Sequence, residues 1–354
     1  MLDYIIVGSG LAGIAFSEVA LQNNKSIFVI NNNFQNSSRI AGGLYNPVIL
    51  KRFSEVWQAE KQLELLTEFY GSIESKLHIK LDYKLPLLRK FHSVEEQNNW
   101  FTASDKPNLS RFLSTKLITT KFNFIASPYN FGEVLNSGYL DTALLLDAYK
   151  DYLISLNCFV ETTFDYSLVQ VQKGFVVYKD IKARNIIFAE GFGMLSNPFF
   201  SKLPLDGTKG ELLLIKAPKL DLKVIVKSAI FIIPLGADLY KVGATYNWED
   251  KTNRPTEEAK NELVDQLKEL IYCDFEIIEH QAGVRPTVKD RRPLVGTHPL
   301  YSNVHLLNGL GTRGVMLAPA MALSLYNLIE YNIPLDPMID IKRIKNFFSS
   351  FYQS

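Results

Sequence analysis

Cysteine is scarce in this sequence, and neither sign of charge dominates. The two cysteines, Cys158 and Cys273, do not belong to any C-x-x-C pair, so we expect neither a disulfide framework nor a metal site. Lysine and arginine number 38 against 37 aspartate and glutamate residues, which gives a net charge of +1. Such a balance produces no broad field that would favour nucleic acid or an anionic membrane.

Long hydrophobic runs are missing as well. No uncharged apolar stretch reaches about 18 residues, so we expect no membrane span. The first apolar run ends at Gly8 without a preceding basic region, and we therefore expect no secretory signal peptide and a cytoplasmic protein. With 354 residues, 47% apolar and 21% charged, the chain has a globular composition and the length of two domains of about 150 residues each.

The first thirty residues place a glycine turn between two apolar segments. DYIIV (3–7) and SIFVI (26–30) predict buried parallel strands, and the segment between them has helical apolar spacing. The turn reads G-x-G-x-x-G, with glycines at Gly8, Gly10 and Gly13. In this context the glycines allow a tight turn, close approach to a pyrophosphate and close packing of helix on strand. The residues alone leave a purely structural turn as the alternative.

The end of the second predicted strand departs from the full dinucleotide fingerprint. An acidic residue is expected there, where it would accept hydrogen bonds from the ribose hydroxyls. The sequence has Asn31 followed by Asn32 and Asn33 instead. An asparagine oxygen can accept one hydroxyl, but less strongly than a carboxylate. The departure weakens the prediction of a nucleotide site and does not decide between NAD and FAD.

Later segments predict a second half of the nucleotide domain and a separate sheet. Residues 41–44 (AGGL) form a loop without side-chain bulk, residues 54–76 have helical spacing, and residues 138–161 predict a turn, a helix and a strand. Hairpins are predicted over 164–180, a buried strand ending at Ala189 and Gly191 over 183–193, antiparallel strands over 211–245 and a helix over 255–271.

The last of these segments repeats the opening pattern. Residues 304–330 read as a strand, a second G-x-G-x-x-G at Gly309, Gly311 and Gly314, and a helix over 313–330. A buried helix with a glycine-rich start is the alternative interpretation.

In this order, the segments resemble the glycine oxidase and D-amino acid oxidase family of FAD-dependent oxidoreductases. The similarity covers nearly the whole chain and is most specific in GVRPTVKDRRPLVG (283–296) and GLGTRGVMLAPAMA (309–322). It implies an α/β fold with a discontinuous Rossmann-like FAD-binding domain (1–75, 140–200 and 283–354). The second, substrate domain (76–139 and 201–282) would be built on an antiparallel or mixed sheet.

The resemblance also implies a set of residues that bind FAD without a covalent bond. A helix start at the pyrimidine end of the flavin would stabilise the negative charge that arrives with a hydride. The implied cofactor-binding residues are Gly8, Gly10, Leu11, Ala12 and Gly13 at the pyrophosphate, Asn31 at the ribose, Ala41, Gly42, Gly43 and Leu44 along the flavin, Ala189 and Gly191 after the strand, and Gly309, Gly311, Thr312, Arg313, Gly314 and Val315 at the second turn.

Arg285 matches the family arginine that binds the substrate carboxylate, and it is the one catalytic residue that the resemblance implies. A planar guanidinium suits a carboxylate because two parallel hydrogen bonds can form. The alternative is a structural arginine paired with Asp290 nearby. Phe231 departs from the family, which often has a carboxylate-binding tyrosine there, and Leu310 stands where glycine oxidases often have histidine.

The resulting prediction is an oxidoreductase that removes hydride from the α-carbon of a small amine bearing a carboxylate, transferring it to flavin N5 and leaving an imine. Two other classes stay open. The GLGTRG turn is similar to the oxidase domain of the bifunctional enzyme that modifies the tRNA wobble uridine, and a basic cluster in the sequence would suit RNA unless it is only a solvated face. The cluster comprises Lys76, Lys80, Lys84, Arg89 and Lys90. A non-catalytic nucleotide-binding protein is the third class.

Overall fold

The computed structural model describes residues 1–32 and 34–349. Within them the helices are α1 (Leu11–Gln22), α2 (Ser37–Ile40), α3 (Ala59–Leu77), α4 (Val94–Ser104), α5 (Thr142–Ser155), α6 (Glu257–Leu270), α7 (Gly314–Tyr331) and α8 (Lys345–Ser349). The strands are β1 (Leu2–Val7), β2 (Ile27–Asn31), β3 (Leu44–Tyr45), β4 (Val48–Ile49), β5 (Ser54–Glu55), β6 (Asp82–Lys84), β7 (Leu87–Lys90), β8 (Leu113–Ile118), β9 (Phe131–Val134), β10 (Gly138–Leu140), β11 (Phe159–Glu161), β12 (Val169–Gln172), β13 (Phe175–Tyr178), β14 (Ile181–Phe188), β15 (Leu205–Lys216), β16 (Ile225–Lys227), β17 (Phe231–Gly236), β18 (Leu239–Gly243), β19 (Glu276–Val288), β20 (Leu294–Thr297) and β21 (Val304–Asn308).

One 8-stranded sheet has a parallel centre, as the opening motif predicts. Its order is β11–β2–β1–β14–β13–β12, with β21 paired to β14 and β20 to β21. The strands β11, β2, β1, β14 and β21 run parallel. Their apolar residues are buried on both faces, which is why these strands read as continuous hydrophobic runs in the sequence. Helices α1 and α7 pack against each other beside this sheet.

A second 8-stranded sheet, in the order β19–β15–β18–β17–β16–β7–β9–β8, is mostly antiparallel. Only β16 and β7 pair in parallel within it, so the sheet is mixed, in agreement with the fold class expected from the sequence. Segments far apart in the chain supply its strands, from Leu87 to Val134 and from Leu205 to Val288. A smaller sheet has the strand order β3–β10–β6. In the chain, β3 follows α2 and β10 directly precedes α5.

Three local expectations differ from the structure. The helix expected over 54–76 begins at Ala59, because Ser54 and Glu55 pair with Val48 and Ile49 as a short hairpin. The strand expected over 183–193 ends at Phe188, and a 3₁₀ turn starts at Gly191. Strand β19 continues to Val288, across the predicted domain boundary at residue 283, so Arg285 belongs to the second large sheet. The division into domains otherwise stays a prediction.

The termini of α4, α5 and α6 follow ordinary capping rules. The side chains of Ser93, Asp141 and Thr256 accept hydrogen bonds from backbone N–H groups in the first turns of these helices. Helices α1 and α7 lack such a side-chain cap. Among the described residues, no helix combines the length and the apolar character needed to cross a membrane.

Candidate functional site

A cavity of about 540 Å³ lies between the parallel sheet, the second large sheet and the starts of α1 and α7. Every sequence-predicted site residue lines it except Gly13 and Gly309. The predicted residues on its wall are Gly8, Gly10, Leu11, Ala12, Asn31, Ala41, Gly42, Gly43, Leu44, Ala189, Gly191, Arg285, Gly311, Thr312, Arg313, Gly314 and Val315. Residues that are distant in the sequence therefore meet around a single space.

The first glycine turn has a shape that side chains would block. Gly8 has a φ of +100°, and a Cβ on it would lie 2.4 Å from the carbonyl oxygen of Ala189. A Cβ on Gly13 would lie 1.8 Å from the carbonyl oxygen of Gly8, so this residue allows α1 to pack onto the end of β1. Gly10 has open space around it, apart from the Ser38 hydroxyl 3.0 Å from a Cβ position. The backbone at Gly10 is thus accessible to a ligand.

The start of α1 offers backbone donors to that ligand. The N-cap residue, Gly10, has no side chain that could cap the helix, and no acidic residue lies in the first turn. Of the first N–H groups, that of Leu11 donates to the hydroxyl of Ser38 at 3.2 Å. The first N–H groups of a helix have no partner inside the helix and carry a partial positive charge. An uncapped helix start beside a bare glycine backbone fits the diphosphate of FAD.

Asn31, at the ribose position, is engaged by the glycine turn itself. Its Oδ1 accepts a hydrogen bond from the N–H of Ser9 at 3.2 Å, so one lone pair of the amide oxygen holds the turn in place. An acidic residue is present elsewhere on this wall, because Glu190 follows the end of β14 and lines the cavity. Its carboxylate accepts hydrogen bonds from the hydroxyl of Tyr166 and the amide of Asn197. Burial raises the pKa of Glu190 to about 7, although both hydrogen bonds lower it.

The AGGL loop is attached to the second large sheet and to α5. The carbonyl oxygen of Ala41 accepts hydrogen bonds from Nζ of Lys241 at 3.1 Å and from the hydroxyl of Thr142 at 3.4 Å. Burial lowers the pKa of Lys241. These contacts fix the loop at the boundary between the two sheets, where a flat ring system could lie against it.

The second glycine turn leads into α7 through a 3₁₀ turn over Gly311–Arg313. Helix α7 has no side-chain cap and no acidic residue in its first turn. A Cβ on Gly314 would lie 3.0 Å from Cδ1 of Leu11, so the starts of α7 and α1 approach each other closely. Two uncapped helix starts therefore face the cavity, which suits a ligand with negative charge at two places.

Arg285 extends from β19 into the cavity and lies flat on β15. A Cβ on Gly210 would be 1.8 Å from its Nη2, so only glycine leaves room for this arrangement. Nη1 donates to the carbonyl oxygens of Lys209 and Thr245 at 3.4 and 3.3 Å. The guanidinium carbon stands 4.7 Å from the ring centre of Tyr246.

The guanidinium of Arg285 has no acidic partner within 4.0 Å in the described part of the chain. Asp290, the alternative partner expected from the sequence, pairs with Arg343 at 3.0 Å instead. Burial lowers the pKa of Arg285. An unpaired cation on the wall of a cavity is a ready site for an anionic ligand, because a buried charge is stabilised by a partner of opposite sign.

A buried lysine holds the segment that carries Tyr246. Lys209, which is 1% exposed, donates to Asp250 and to the carbonyl oxygen of Arg254. The backbone of Lys209 also exchanges hydrogen bonds with Asn247. The loop over 244–256 is thereby fixed to β15, directly beside Arg285.

The basic cluster expected between residues 76 and 90 is largely neutralised within the chain. Each of four members has an acidic partner within 4.0 Å, namely Lys76 with Glu18, Lys80 with Glu74, Lys84 with Asp82 and Arg89 with Glu96. Lys90 is buried. The cluster is therefore a set of local ion pairs, in line with the structural alternative.

The described residues place neither a metal-binding cluster nor a cysteine at the cavity. Across residues 1–32 and 34–349, no group of three or more histidine, cysteine, aspartate or glutamate side chains could hold a metal ion. Cys158 and Cys273 are free thiols and neither lines the cavity. Two histidines are buried, and burial lowers the pKa of His298 to about 4 and that of His305 to about 3.

Among the cavity residues that were not predicted from the sequence, Glu190, Lys227 and Tyr246 carry a charge or an aromatic ring beside the proposed ligand. Glu190 stands between two predicted residues, and an acidic residue just after a parallel strand is a usable signal for a ligand site. Lys227 and Tyr246 reach the cavity only through the pairing of β15 to β18, for which no local sequence signal exists.

Comparison with known proteins identifies the family and the fold. A family model described as "DAO: FAD dependent oxidoreductase" matches residues 3–328. The solved structure of glycine oxidase from Geobacillus kaustophilus superposes with a TM-score of 0.77 at 18% identity, covering 96% of this chain and 98% of that one. At this identity the similarity establishes the fold.

Curated relatives fall into two groups. The glycine oxidase of Pseudomonas aeruginosa is 27% identical over 164 residues, 45% of each chain. The bifunctional protein of tRNA 5-methylaminomethyl-2-thiouridine biosynthesis from Marinobacter nauticus is also 27% identical, over 186 residues, 46% of this chain and 30% of the relative. The match to these relatives thus spans less than half the length of each.

Proposed function

The chain belongs to the DAO family of FAD-dependent oxidoreductases, and on that premise we propose that it oxidises the C–N bond of a small amino acid or an N-substituted glycine to an imine. The observation that carries this proposal is Arg285, a guanidinium on the cavity wall without an acidic partner in the described residues. A carboxylate is the anion that matches its planar fork.

The bare glycine turn and the two uncapped helix starts support the proposal that the cavity residues hold FAD. Gly8, Gly10 and the start of α1 would hold the diphosphate, and the AGGL loop and the start of α7 would hold the ring system. Bound there, the flavin supplies the hydride acceptor for the reaction. Asn31 would lie beside the ribose, at the end of β2.

The protein's contribution to the reaction is orientation and electrostatics. Arg285 would bind the carboxylate and so fix the α-carbon, and the carbonyls of Lys209 and Thr245 hold the guanidinium in position. Phe231 lines the cavity with an apolar ring, so Arg285 would carry the carboxylate recognition without help from a hydroxyl at that position. Placing a substrate in this way supplies a large share of the catalysis by such enzymes.

The proposal is tested by reduction of the bound flavin without oxygen. Glycine, N-alkyl glycines and D-amino acids are each mixed with the purified holoprotein, and loss of the yellow flavin absorbance is followed. Matching amines without a carboxylate serve as controls. We expect bleaching only by amines with a carboxylate. Bleaching only by the control amines, or by no amine at all, would contradict the proposal.

A second candidate substrate is the glycine-like carboxymethylaminomethyl group of a modified tRNA uridine. The supporting observation is a cluster of arginines at the second glycine turn. Arg313 lines the cavity, and burial together with Arg291 and Arg292 lowers its pKa. Tyr246 and Trp248, in the loop over 244–256, are 63% and 52% exposed. Arginines and exposed aromatic rings suit phosphates and bases, and one group of relatives acts in tRNA biosynthesis.

A gel-shift titration with tRNA at several salt concentrations tests this candidate. Phosphate contacts make binding fall steeply as salt rises. The exposed Arg291 is replaced by serine, and Arg111→Ser, at an exposed arginine that is paired with Glu60, is the control. If tRNA is the substrate, binding is salt-dependent and weaker in Arg291→Ser alone. Equal binding by both variants, or no shift, would remove this candidate and leave the free amine.

A further inference from the structure

Lys227 is another cation on the wall of the same cavity. It lies at the end of β16, and its Nζ donates to the carbonyl oxygen of Ala229 at 2.7 Å. The ammonium stands 6.0 Å from the ring centre of Phe231. In the described part of the chain, no carboxylate oxygen lies within 4.0 Å of the Lys227 ammonium.

The surroundings of Lys227 disfavour its charge. Burial lowers the pKa of Lys227 to about 8, and the neighbouring Arg89 contributes to this shift. Arg89 is the partner of Lys227 across β7 and β16, and its own charge is matched by Glu96 at 2.6 Å. A partly buried ammonium without an anion costs folding free energy. A ligand anion would relieve this cost.

The sheet register places Lys227 and Arg285 at opposite ends of one surface. Lys227 pairs with Phe231, and Phe231 pairs with Gly243, which pairs with Leu212 on β15. Arg285 belongs to β19, and its guanidinium packs against Gly210 of β15. Strands are about 4.8 Å apart and three spacings separate β16 from β15, so the backbones of these two strands lie about 14 Å apart.

Phe231 connects this cation to the proposed flavin site. A Cβ on Gly42 of the AGGL loop would lie 2.8 Å from Cζ of Phe231. Lys227 is therefore beside the ring that faces the loop, and both Lys227 and Arg285 line the cavity. A substrate held by Arg285 could reach Lys227 only with a substituent several bonds long.

We propose that Lys227 binds a second anionic group of the substrate, so that the preferred substrate is an amine with a carboxylate at one end and a further carboxylate or phosphate on its substituent. The inference rests on the proposed function and assigns the class of substituent. Binding of a remote group that does not react stabilises the ground state and the transition state alike, so it is expected in KM rather than kcat.

The test uses N-substituted glycines that differ only at the end of one substituent. The three end groups are methyl, carboxylate and phosphate, on alkyl chains of matched length. Flavin reduction is measured in the wild type, in Lys227→Met and in a control, Lys223→Met. Lys223 is exposed and paired with Asp221, so its loss changes charge without touching the cavity.

We expect the wild type and Lys223→Met to prefer an anionic end group by about 10-fold or more in kcat/KM, a typical value for a charge-assisted hydrogen bond. Lys227→Met should lose this preference through a raised KM, with unchanged rates for the methyl series and unchanged flavin content. The preferred end group shows whether Lys227 binds a carboxylate or a phosphate. The preference should weaken as the pH rises past that at which Lys227 loses its proton.

A preference that persists in Lys227→Met would overturn the proposal, as would an equal loss for all three end groups. Loss of flavin from Lys227→Met would also overturn it, because Lys227 would then serve the cofactor. Ether analogues, with oxygen in place of the amine nitrogen, cannot be oxidised in this way, and their binding is read from the flavin spectrum. If the amines fail to reduce flavin but the ethers show the expected preference, only the proposed oxidation is wrong.

Discussion

At the scale of single residues, unpaired charge marks the site more clearly than any motif. Arg285 and Lys227 face one cavity without acidic partners in the described residues, whereas the lysines and arginine at 76, 80, 84 and 89 are all paired. Exposed ion pairs contribute little to stability, but an unpaired cation in a cavity is costly unless a ligand meets it.

Arg285→Lys keeps the charge and removes the planar fork. A charge-assisted hydrogen bond contributes about 2 kcal/mol, so kcat/KM for an amine with a carboxylate should fall at least about 30-fold. Flavin content should stay the same. Arg111→Lys, at an exposed pair with Glu60, is the matched control and should keep full activity. Equal kcat/KM in both variants would show that Arg285 does not bind the substrate.

Glu190→Gln should change how stability depends on pH. Because the native pKa of Glu190 is raised to about 7, the native state holds this proton at pH values where the unfolded state has lost it. The unfolding free energy of the wild type should therefore decrease, relative to the variant, as the pH rises from about 5 to about 7, and the difference should level off above that.

Thermal melts of the flavin-free protein measure this effect, with Glu64→Gln on the exposed face of α3 as the control. The control measures the effect of removing one exposed carboxylate that does not line the cavity. A Glu190→Gln difference that is equally constant would mean that the carboxyl titrates normally in the native state.

Sequence reasoning at this scale identified Arg285 but overlooked Lys227 and Tyr246. Arg285 stands in a motif that can be compared with a family. Lys227 and Tyr246 sit in strands and loops whose contacts depend on the pairing of β15 to β18, and pairing between distant strands leaves no local trace. Glu190 could have been predicted, because it stands between Ala189 and Gly191, which were both predicted to bind the cofactor.

At the scale of elements, two helices that start without side-chain caps meet at one cavity. Helices α1 and α7 both follow a glycine turn at the end of a parallel strand, and both turns were predicted as G-x-G-x-x-G. These elements were predictable because turn, strand and helix signals are local. Helix α4 and strands β7 to β9 were not predicted individually, since their sequence between 87 and 134 carries weaker periodicity and their sheet partners are remote.

Gly10→Val should fill the approach to the diphosphate. A Cβ on Gly10 would already lie 3.0 Å from the Ser38 hydroxyl, and the valine methyl groups would extend into the cavity beside the free N–H groups of α1. We expect protein purified after this change to carry little or no flavin. The measurement is flavin absorbance per protein chain after gel filtration.

The control for Gly10→Val is Gly71→Ala, at a helical position with no atom within 4 Å of the added Cβ. This variant should keep its flavin and gain slightly in stability, because alanine is the better helix former. Full flavin content in Gly10→Val would show that the diphosphate binds elsewhere.

At the scale of the whole molecule, the cavity is formed by segments from both large sheets. The parallel sheet contributes the glycine turns and the second sheet contributes Arg285, Lys227 and Phe231. The overall α/β architecture could be predicted from the order of motifs. The extension of β19 to Val288, which places Arg285 in the second sheet, was not predicted, because the boundary between the two predicted domains was placed at residue 283, inside this strand.

FAD should stabilise the fold more than FMN or ADP does. One glycine turn would hold the diphosphate and the other the flavin ring, so a ligand that spans both gains contacts that FMN or ADP alone lacks. At about 100 times its Kd, FAD adds about 2.7 kcal/mol to the unfolding free energy, which raises Tm by a few degrees. Calorimetry of the flavin-free protein with each ligand at equal concentration checks this. An equal rise with FMN would mean that the first turn contributes nothing.

The most direct test of the account is whether Arg285 and the substrate carboxylate depend on each other. The rate of flavin reduction without oxygen is measured for an N-alkyl glycine and for its methyl ester, in the wild type and in Arg285→Lys. We predict that the wild type prefers the acid at least about 30-fold and that the preference falls at least about 10-fold in the variant, because the two groups form one charge-assisted contact. The same preference in both proteins would contradict it.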